Sequence, residues 1–161
     1  MNAVLEEALQ KTDRKQPEKT QILFVCTGNT CRSPMAELFF NYYRKKIGKS
    51  PCGGSCGIST SNGLPISRNA AQVLLENGID STAFRSSAAT VEAISQADAV
   101  YTMSSSHRNA IISALPEFSG KIHLLMGDRD VSDPFGQSVD VYRQTFELMR
   151  PELMKIAENL P

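Results

Sequence analysis

Cys26, Arg32 and Asp133 are the side chains whose types and settings could do chemistry together. Cys26 ends the apolar run Ile22-Leu23-Phe24-Val25, and a polar stretch leads from it to Pro34 and a helix-forming segment. That order reads as strand, anion-binding loop and helix. A loop between a strand's carboxyl end and a helix N-terminus aims several backbone N–H groups at one point, which suits an anion of phosphate size. The candidate phosphate site is therefore Thr27, Gly28, Asn29, Thr30, Cys31, Arg32 and Ser33. A cysteine in that positive field is expected to have a lowered pKa, which makes Cys26 the candidate nucleophile. Arg32 can fold back over the loop and grip two phosphate oxygens with its planar fork. The Cys-x5-Arg spacing is weak alone; the strand before it, the helix start after it and Asp133-Pro134 far downstream give it weight.

The elements that must position these residues follow from local signals. Leu23 to Val25 is a strand buried on both faces, and Ser33-Pro34 starts a helix, with Ser33 as N-cap and Pro34 at the first helical position, that Met35 to Arg44 continues. Phe39, Phe40, Tyr42 and Tyr43 are expected to pack on the sheet. A short strand is expected over Cys56 to Thr60, and a helix capped by Ser67 runs to about Asn77 and ends at Gly78. Thr90 begins a short helix, Ala99 to Met103 is a strand, and Ser104-Ser105-Ser106 caps a helix through Ala114. Ile122 to Leu125 is the last strand. The acidic loop from Met126 to Gln137 follows it, then a closing helix from Asp140 to Asn159 that Pro151 is expected to kink. His107 and His123 have no partner nearby in sequence and read as bland surface or strand residues.

Strands alternating with helices give an α/β domain with a parallel sheet and helices on both faces, in which ligands bind at the carboxyl ends of the strands. The Cys26 loop and the Asp133 loop both follow strands, so they can meet at one edge. Of the three acidic residues in the late loop, Asp133 alone precedes a proline, which fixes its turn; Asp128 and Asp130 are its controls.

The 161 residues fit one domain, and 41% hydrophobic with 21% charged residues is an ordinary globular composition. Residues 1–20 read as an N-terminal extension, mobile and without chemistry, and residues 21–161 as the domain. Lys plus Arg and Asp plus Glu both number 17, which points away from nucleic acid and acidic membranes. No apolar run suits a spanning helix or a signal peptide, so a cytoplasmic protein with reduced thiols is expected. Four cysteines do not make a disulfide scaffold. Cys26-x4-Cys31 and Cys52-x3-Cys56 loosely suggest a zinc site, but a ligand at the end of a core strand fits a zinc knuckle poorly. Cys52 and Cys56 are either a redox pair or two separate thiols.

From about Gln21 onwards the sequence resembles the low-molecular-weight protein-tyrosine-phosphatase family, whose Cys-x5-Arg-Ser signature is matched by Cys26 to Ser33 and whose late Asp-Pro is matched by Asp133-Pro134. The resemblance implies a three-layer flavodoxin-like fold with a four-stranded parallel sheet, no metal or cofactor, and a phosphorylated protein as substrate. It implies a phosphocysteine on Cys26 and Asp133 as general acid, then base. It further implies that Asn29 holds the loop shape, Ser33 helps keep Cys26 ionised, and Phe135 walls the entrance. Chemistry agrees: Cys26 attacks phosphorus in line, Arg32 and loop N–H groups hold the equatorial oxygens, and water hydrolyses the thiophosphate.

Cys-Thr-Gly-Asn-Thr-Cys-Arg-Ser and Asp-Pro-Phe-Gly with Asp140-Val141-Tyr142 are more similar to the bacterial protein-arginine phosphatases of the family. Tyrosine-directed members typically carry a bulkier aliphatic residue where Thr30 stands, so substrate selectivity is expected to rest on Thr30 and Phe135. Many members have a histidine where Phe84 aligns; its absence removes one expected support of the phosphate loop, part of which Ser55 can supply. An arsenate reductase of the same fold would need relay cysteines beyond Cys56, and none follows. A zinc-stabilised or phosphate-sensing binding module is the non-enzymatic alternative.

Overall fold

The computed structural model describes residues 20–161, so the expected N-terminal extension lies, but for Thr20, outside the described residues. The first strand, β1 (Ile22–Cys26), is buried throughout. Its side chains alternate between two cores, as the strand period of two requires. Ile22, Phe24 and Cys26 join one cluster, with Phe39, Phe40, Phe146 and Leu153. Leu23 and Val25 join the other, with Ile94, Val100, Ile111 and Ile122. A strand apolar at every position is what a sheet covered on both faces demands.

The remaining strands are β2 (Gly53–Gly57), β3 (Ala99–Thr102) and β4 (Ile122–Leu124). All pairings are parallel, in the order β2-β1-β3-β4. The order reverses direction at β1, so the crevice beside its carboxyl end is a topological switch point, where open α/β sheets bind ligands. The helices are α1 (Arg32–Lys46), α2 (Arg68–Glu76), α3 (Val91–Gln96), α4 (Ser105–Ala114) and α5 (Val139–Glu158). Helices α1, α2 and α5 cover one face, and α3 and α4 pack on the other. The result is the expected three-layer, flavodoxin-like α/β domain.

Two local expectations are corrected. The second strand lies over Gly53–Gly57 rather than Cys56 to Thr60. Its sequence, Gly-Gly-Ser-Cys-Gly, has no β-branched or aromatic residue to announce it, and it exists because it can lie close to its neighbours. A Cβ on Gly53 would come within 2.7 Å of the Phe40 ring. Secondly, α1 begins at Arg32 with Cys31 at its N-cap and no side-chain cap, so Ser33 is inside the first turn and free for other bonds. Pro34 also lies in that turn, where its missing N–H removes no helical bond. Helix α5 carries Pro151 within it. Its buried stripe is Tyr142, Phe146, Met149, Leu153 and Ala157, with Pro151 exposed on the opposite side. The caps at Ser67, Thr90 and Ser104 stand as expected, each side chain accepting a backbone N–H from three residues on.

Candidate active site

At the carboxyl end of β1 the chain turns through Thr27 to Cys31 and enters α1. Asn29 makes that turn possible. It is the one non-glycine residue among those described with a positive φ, 53°, a conformation that asparagine tolerates better than most side chains. It is fully buried, and its amide is fully paired. Nδ2 donates to Ser33 Oγ (2.8 Å) and Ser55 Oγ (2.9 Å), and Oδ1 accepts from the Ser87 N–H (2.8 Å). The loop is thus tied to α1, β2 and the segment before α3. Ser55 supplies the part expected of it, and a backbone N–H from Ser87 supplies another. Phe84 is buried in that region.

Gly57, at the end of β2, is what lets the loop lie so close. A Cβ there would stand 2.5 Å from the Thr27 carbonyl oxygen and 3.0 Å from the Asn29 nitrogen. The Ile58 and Ser59 N–H groups donate to the carbonyls of Cys26 and Thr27, and the Ser67 N–H donates to that of Thr30.

Cys26 Sγ lies 2.8 Å from Ser33 Oγ and accepts from the Asn29 N–H at 3.3 Å. Since Asn29 already donates to Ser33 Oγ, the serine proton is directed at the sulfur. Burial pushes the Cys26 thiol up. The Ser33 hydroxyl, the Ser33 N–H, the Arg32 guanidinium and the Asn29 N–H act the other way, in that order, and the positive end of α1 adds to them. The expected lowering is therefore opposed: the donors are in place, but taking the sulfur out of water is the largest single influence.

Arg32 is 5% exposed and lies back over the loop. Nη1 donates to the Val131 carbonyl (2.8 Å), and Nη2 is 3.5 Å from Asp133 Oδ2. Nε is buried and takes no partner among the described residues, which leaves it for an anion. The Asp133 carboxylate is about half exposed, and its Oδ1 accepts from the Phe135 N–H (3.1 Å). The two sequence-remote loops thus meet over one pocket of about 220 Å³, lined by Cys26, Thr27, Gly28, Thr30, Cys31, Arg32, Asp133 and Phe135. Phe135 stands 75% exposed at its edge.

Other residues behave differently from their sequence reading. His107 is 4% exposed, and its Nε2 lies 2.8 Å from Thr27 Oγ1, so the surface reading is overturned. The available signal was position: His107 follows the cap at the carboxyl end of β3, the strand beside β1. Asp130 is not a neutral control, because its carboxylate accepts from the Ser105 N–H (2.8 Å) and ties the acidic loop to the start of α4. Asp128 remains one, being 85% exposed. Cys52 and Cys56 are buried in different cores and do not form a redox pair. Among the described residues no group of three or more His, Cys, Asp or Glu side chains is arranged to hold a metal ion. Nor is any described helix long and apolar enough to cross a membrane.

Residues 21–161 match the family described as low molecular weight phosphotyrosine protein phosphatase. The chain belongs to this family. It is a cysteine-dependent protein phosphatase, a hydrolase. A protein-arginine-phosphatase of Geobacillus stearothermophilus is 37% identical over 87% of this chain and 95% of its own. A low molecular weight protein tyrosine phosphatase from T. tengcongensis is 40% identical, superposes with a TM-score of 0.82, and is covered over 98% of its length by 86% of this chain. A cysteine-to-serine variant of the arginine phosphatase YwlE, solved with its active-site serine phosphorylated, is 35% identical with a TM-score of 0.80, covering 86% of this chain and 94% of its own. The same fold and family therefore include enzymes named for two different phosphorylated side chains.

Proposed function

We propose that this phosphatase acts on phosphoarginine in proteins, with Cys26 as nucleophile, Arg32 and the loop from Thr27 to Ser33 as the phosphate cradle, and Asp133 as general acid and base. The Cys26 thiolate attacks phosphorus as the bond to the leaving nitrogen breaks, and Asp133 gives that nitrogen its proton. The Asp133 carboxylate then takes a proton from water. The resulting hydroxide attacks the phosphocysteine and releases phosphate and thiolate. Nε of Arg32, together with Nη2, offers a two-pronged grip on the equatorial oxygens as charge develops there.

The observation that carries the arginine reading is Thr30. It lines the pocket on which Cys26, Arg32 and Asp133 converge, where the first atoms of the substrate beyond phosphorus must pass. A small hydroxyl-bearing side chain leaves room for a planar guanidinium and can pair with it, whereas a phenyl ring gains from apolar contact. The likeness to named arginine phosphatases supports the same reading. Phe135 favours the second one, tyrosine-directed hydrolysis, because an exposed aromatic at the pocket edge is a wall for a ring. Four free thiols fit a cytoplasmic enzyme, and residues 21–161 then form the phosphatase domain.

The test compares phosphoarginine and phosphotyrosine peptides at matched concentrations, with the parent, Cys26→Ser and Thr30→Ile. The parent is expected to favour phosphoarginine and Cys26→Ser to be inactive on both. Thr30→Ile is expected to shift the preference toward phosphotyrosine by roughly ten- to a hundredfold, the scale set by leaving one or two guanidinium N–H groups unpaired. A parent that favours phosphotyrosine would return the enzyme to the tyrosine-directed reading, and an unchanged ratio in Thr30→Ile would place selectivity elsewhere than Thr30.

A further inference from the structure

The contact between His107 and Thr27 plays no part in the reaction just described, yet it joins a buried imidazole to the residue that follows Cys26. His107 is the third residue of α4, and its N–H donates to the Ser104 cap, so the start of the helix fixes where the ring stands. Thr27 is exposed and lines the pocket next to Cys26 and Gly28. The bond spans eighty positions of chain. Packing alone does not account for it, since a valine would cover the ring as well as a threonine.

The tautomer follows from what surrounds the ring. Burial, and then the Arg32 charge, holds His107 neutral, with its pKa lowered to about 4. One ring nitrogen therefore carries the proton. Nδ1 is buried without a partner among the described residues, and a bare lone pair there costs less than an orphaned N–H. The proton is thus placed on Nε2, which donates to Thr27 Oγ1. The threonine hydroxyl accepts that bond and keeps its own proton to donate elsewhere.

We propose that His107 is a positioning residue: by donating to Thr27 it turns the threonine hydroxyl into an oriented donor on the rim of the pocket, aimed at an oxygen of the phosphoryl group. This rests on the reading of Cys26 as nucleophile and of its loop as the phosphate cradle. Backbone N–H groups in the loop cannot rotate away from the anion, whereas a free threonine hydroxyl can turn to solvent. The imidazole occupies the acceptor side of the hydroxyl and leaves the donor side toward the phosphate, so the orienting cost falls on the fold rather than on each encounter.

The experiment measures kcat and KM for a small aryl phosphate with the parent, Thr27→Val, His107→Leu, His107→Gln, the Thr27→Val/His107→Leu and Thr27→Val/His107→Gln double variants, and Cys26→Ser. Thr27→Val is expected to lose roughly ten- to a hundredfold in kcat/KM, the scale of one hydrogen bond to a charged group. His107→Leu is expected to lose a similar factor, and His107→Gln, which keeps an N–H donor, to recover most of it. In the Thr27→Val background the histidine substitutions are expected to have no further effect on kcat/KM, whatever they do to melting temperature. An undiminished Thr27→Val enzyme would overturn the proposal, as would a His107→Leu substitution that costs nothing, or that costs the same factor with and without the threonine hydroxyl. If His107→Leu does not fold, an undiminished Thr27→Val enzyme, or a His107→Gln loss that persists unchanged in the Thr27→Val background, still overturns the proposal. Turnover by Cys26→Ser would instead overturn the nucleophile assignment, independently of the other variants.

Discussion

Replacing Ser33 with alanine separates the two influences on the Cys26 sulfur. Ser33 Oγ stands 2.8 Å from both Cys26 Sγ and Asn29 Nδ2, and the residue has no exposed surface. Its hydroxyl is the strongest of the groups that oppose the effect of burial on the thiol. A hydrogen bond to a charged acceptor contributes about 1.5–3 kcal/mol, and each pKa unit corresponds to about 1.4 kcal/mol. Ser33→Ala should therefore raise the midpoint for Cys26 ionisation by about one to two units. It also leaves one buried Asn29 N–H without an acceptor, which should lower folding stability by about 1–3 kcal/mol. The assay is the rate of iodoacetamide alkylation against pH, with mass spectrometry to confirm that Cys26 is modified, alongside denaturant unfolding. The pH midpoint separates ionisation from general loosening, because a loosened loop exposes the sulfur to water and lowers its pKa. A midpoint that stays in place or moves down would refute the reasoning.

Asp133→Asn should slow release of a poor, nitrogen leaving group on the order of a hundredfold or more and that of an activated aryl phosphate far less; equal losses would rule out a general acid, and Asp128→Asn should change neither. His107 has its folded pKa lowered from 6.5 to about 4, so the unfolded chain binds the extra proton between those values. Its contribution to stability is then fully present above pH 6.5 and is lost as pH falls toward 4, by about 2 kcal/mol with solvent screening allowed for; chemical denaturation at several pH values should show this slope flattened in His107→Gln. Peroxide should inactivate the enzyme through a Cys26–Cys31 disulfide, since both thiols line the same pocket; non-reducing mass spectrometry without that crosslink, or inactivation that thiols do not reverse, would count against it.

What could be read from the sequence was whatever local physics determines. β1 announces itself by an uninterrupted apolar run, and the serine and threonine caps of α2, α3 and α4 stand three residues before the N–H groups they accept. The meeting of the Cys26 and Asp133 loops follows from the rule that parallel strands deliver their carboxyl ends to one edge. The unread features rest on partners far apart in the chain. Asn29 finds Ser87, Thr27 finds His107, and Asp130 finds Ser105, none of them marked by spacing or periodicity. Strand β2 was misplaced for a related reason: its glycines are chosen for the close approach of Phe40 and the Thr27 carbonyl, which only the assembled fold brings near.

With phenylalanine at position 84 one expected support of the loop is removed, and the bonds around Asn29 supply others. A side-chain support can leave by rotating, but the Ser87 N–H can leave only if its backbone moves, and that segment is fixed on both sides. The Gly57 N–H donates to the Ser87 carbonyl, and the Ala89 N–H donates to that of Gly57, so the support of Asn29 is pinned to the end of β2. The same glycine lies against Thr27 and Asn29. One stretch of backbone thus both admits the loop and holds it from behind, while His107 holds its rim. Electrostatic catalysis requires donors that are already aimed before charge develops. Here that aim is set by the Ser87 N–H together with the Ser33 and Ser55 hydroxyls, which hold Asn29 from three sides.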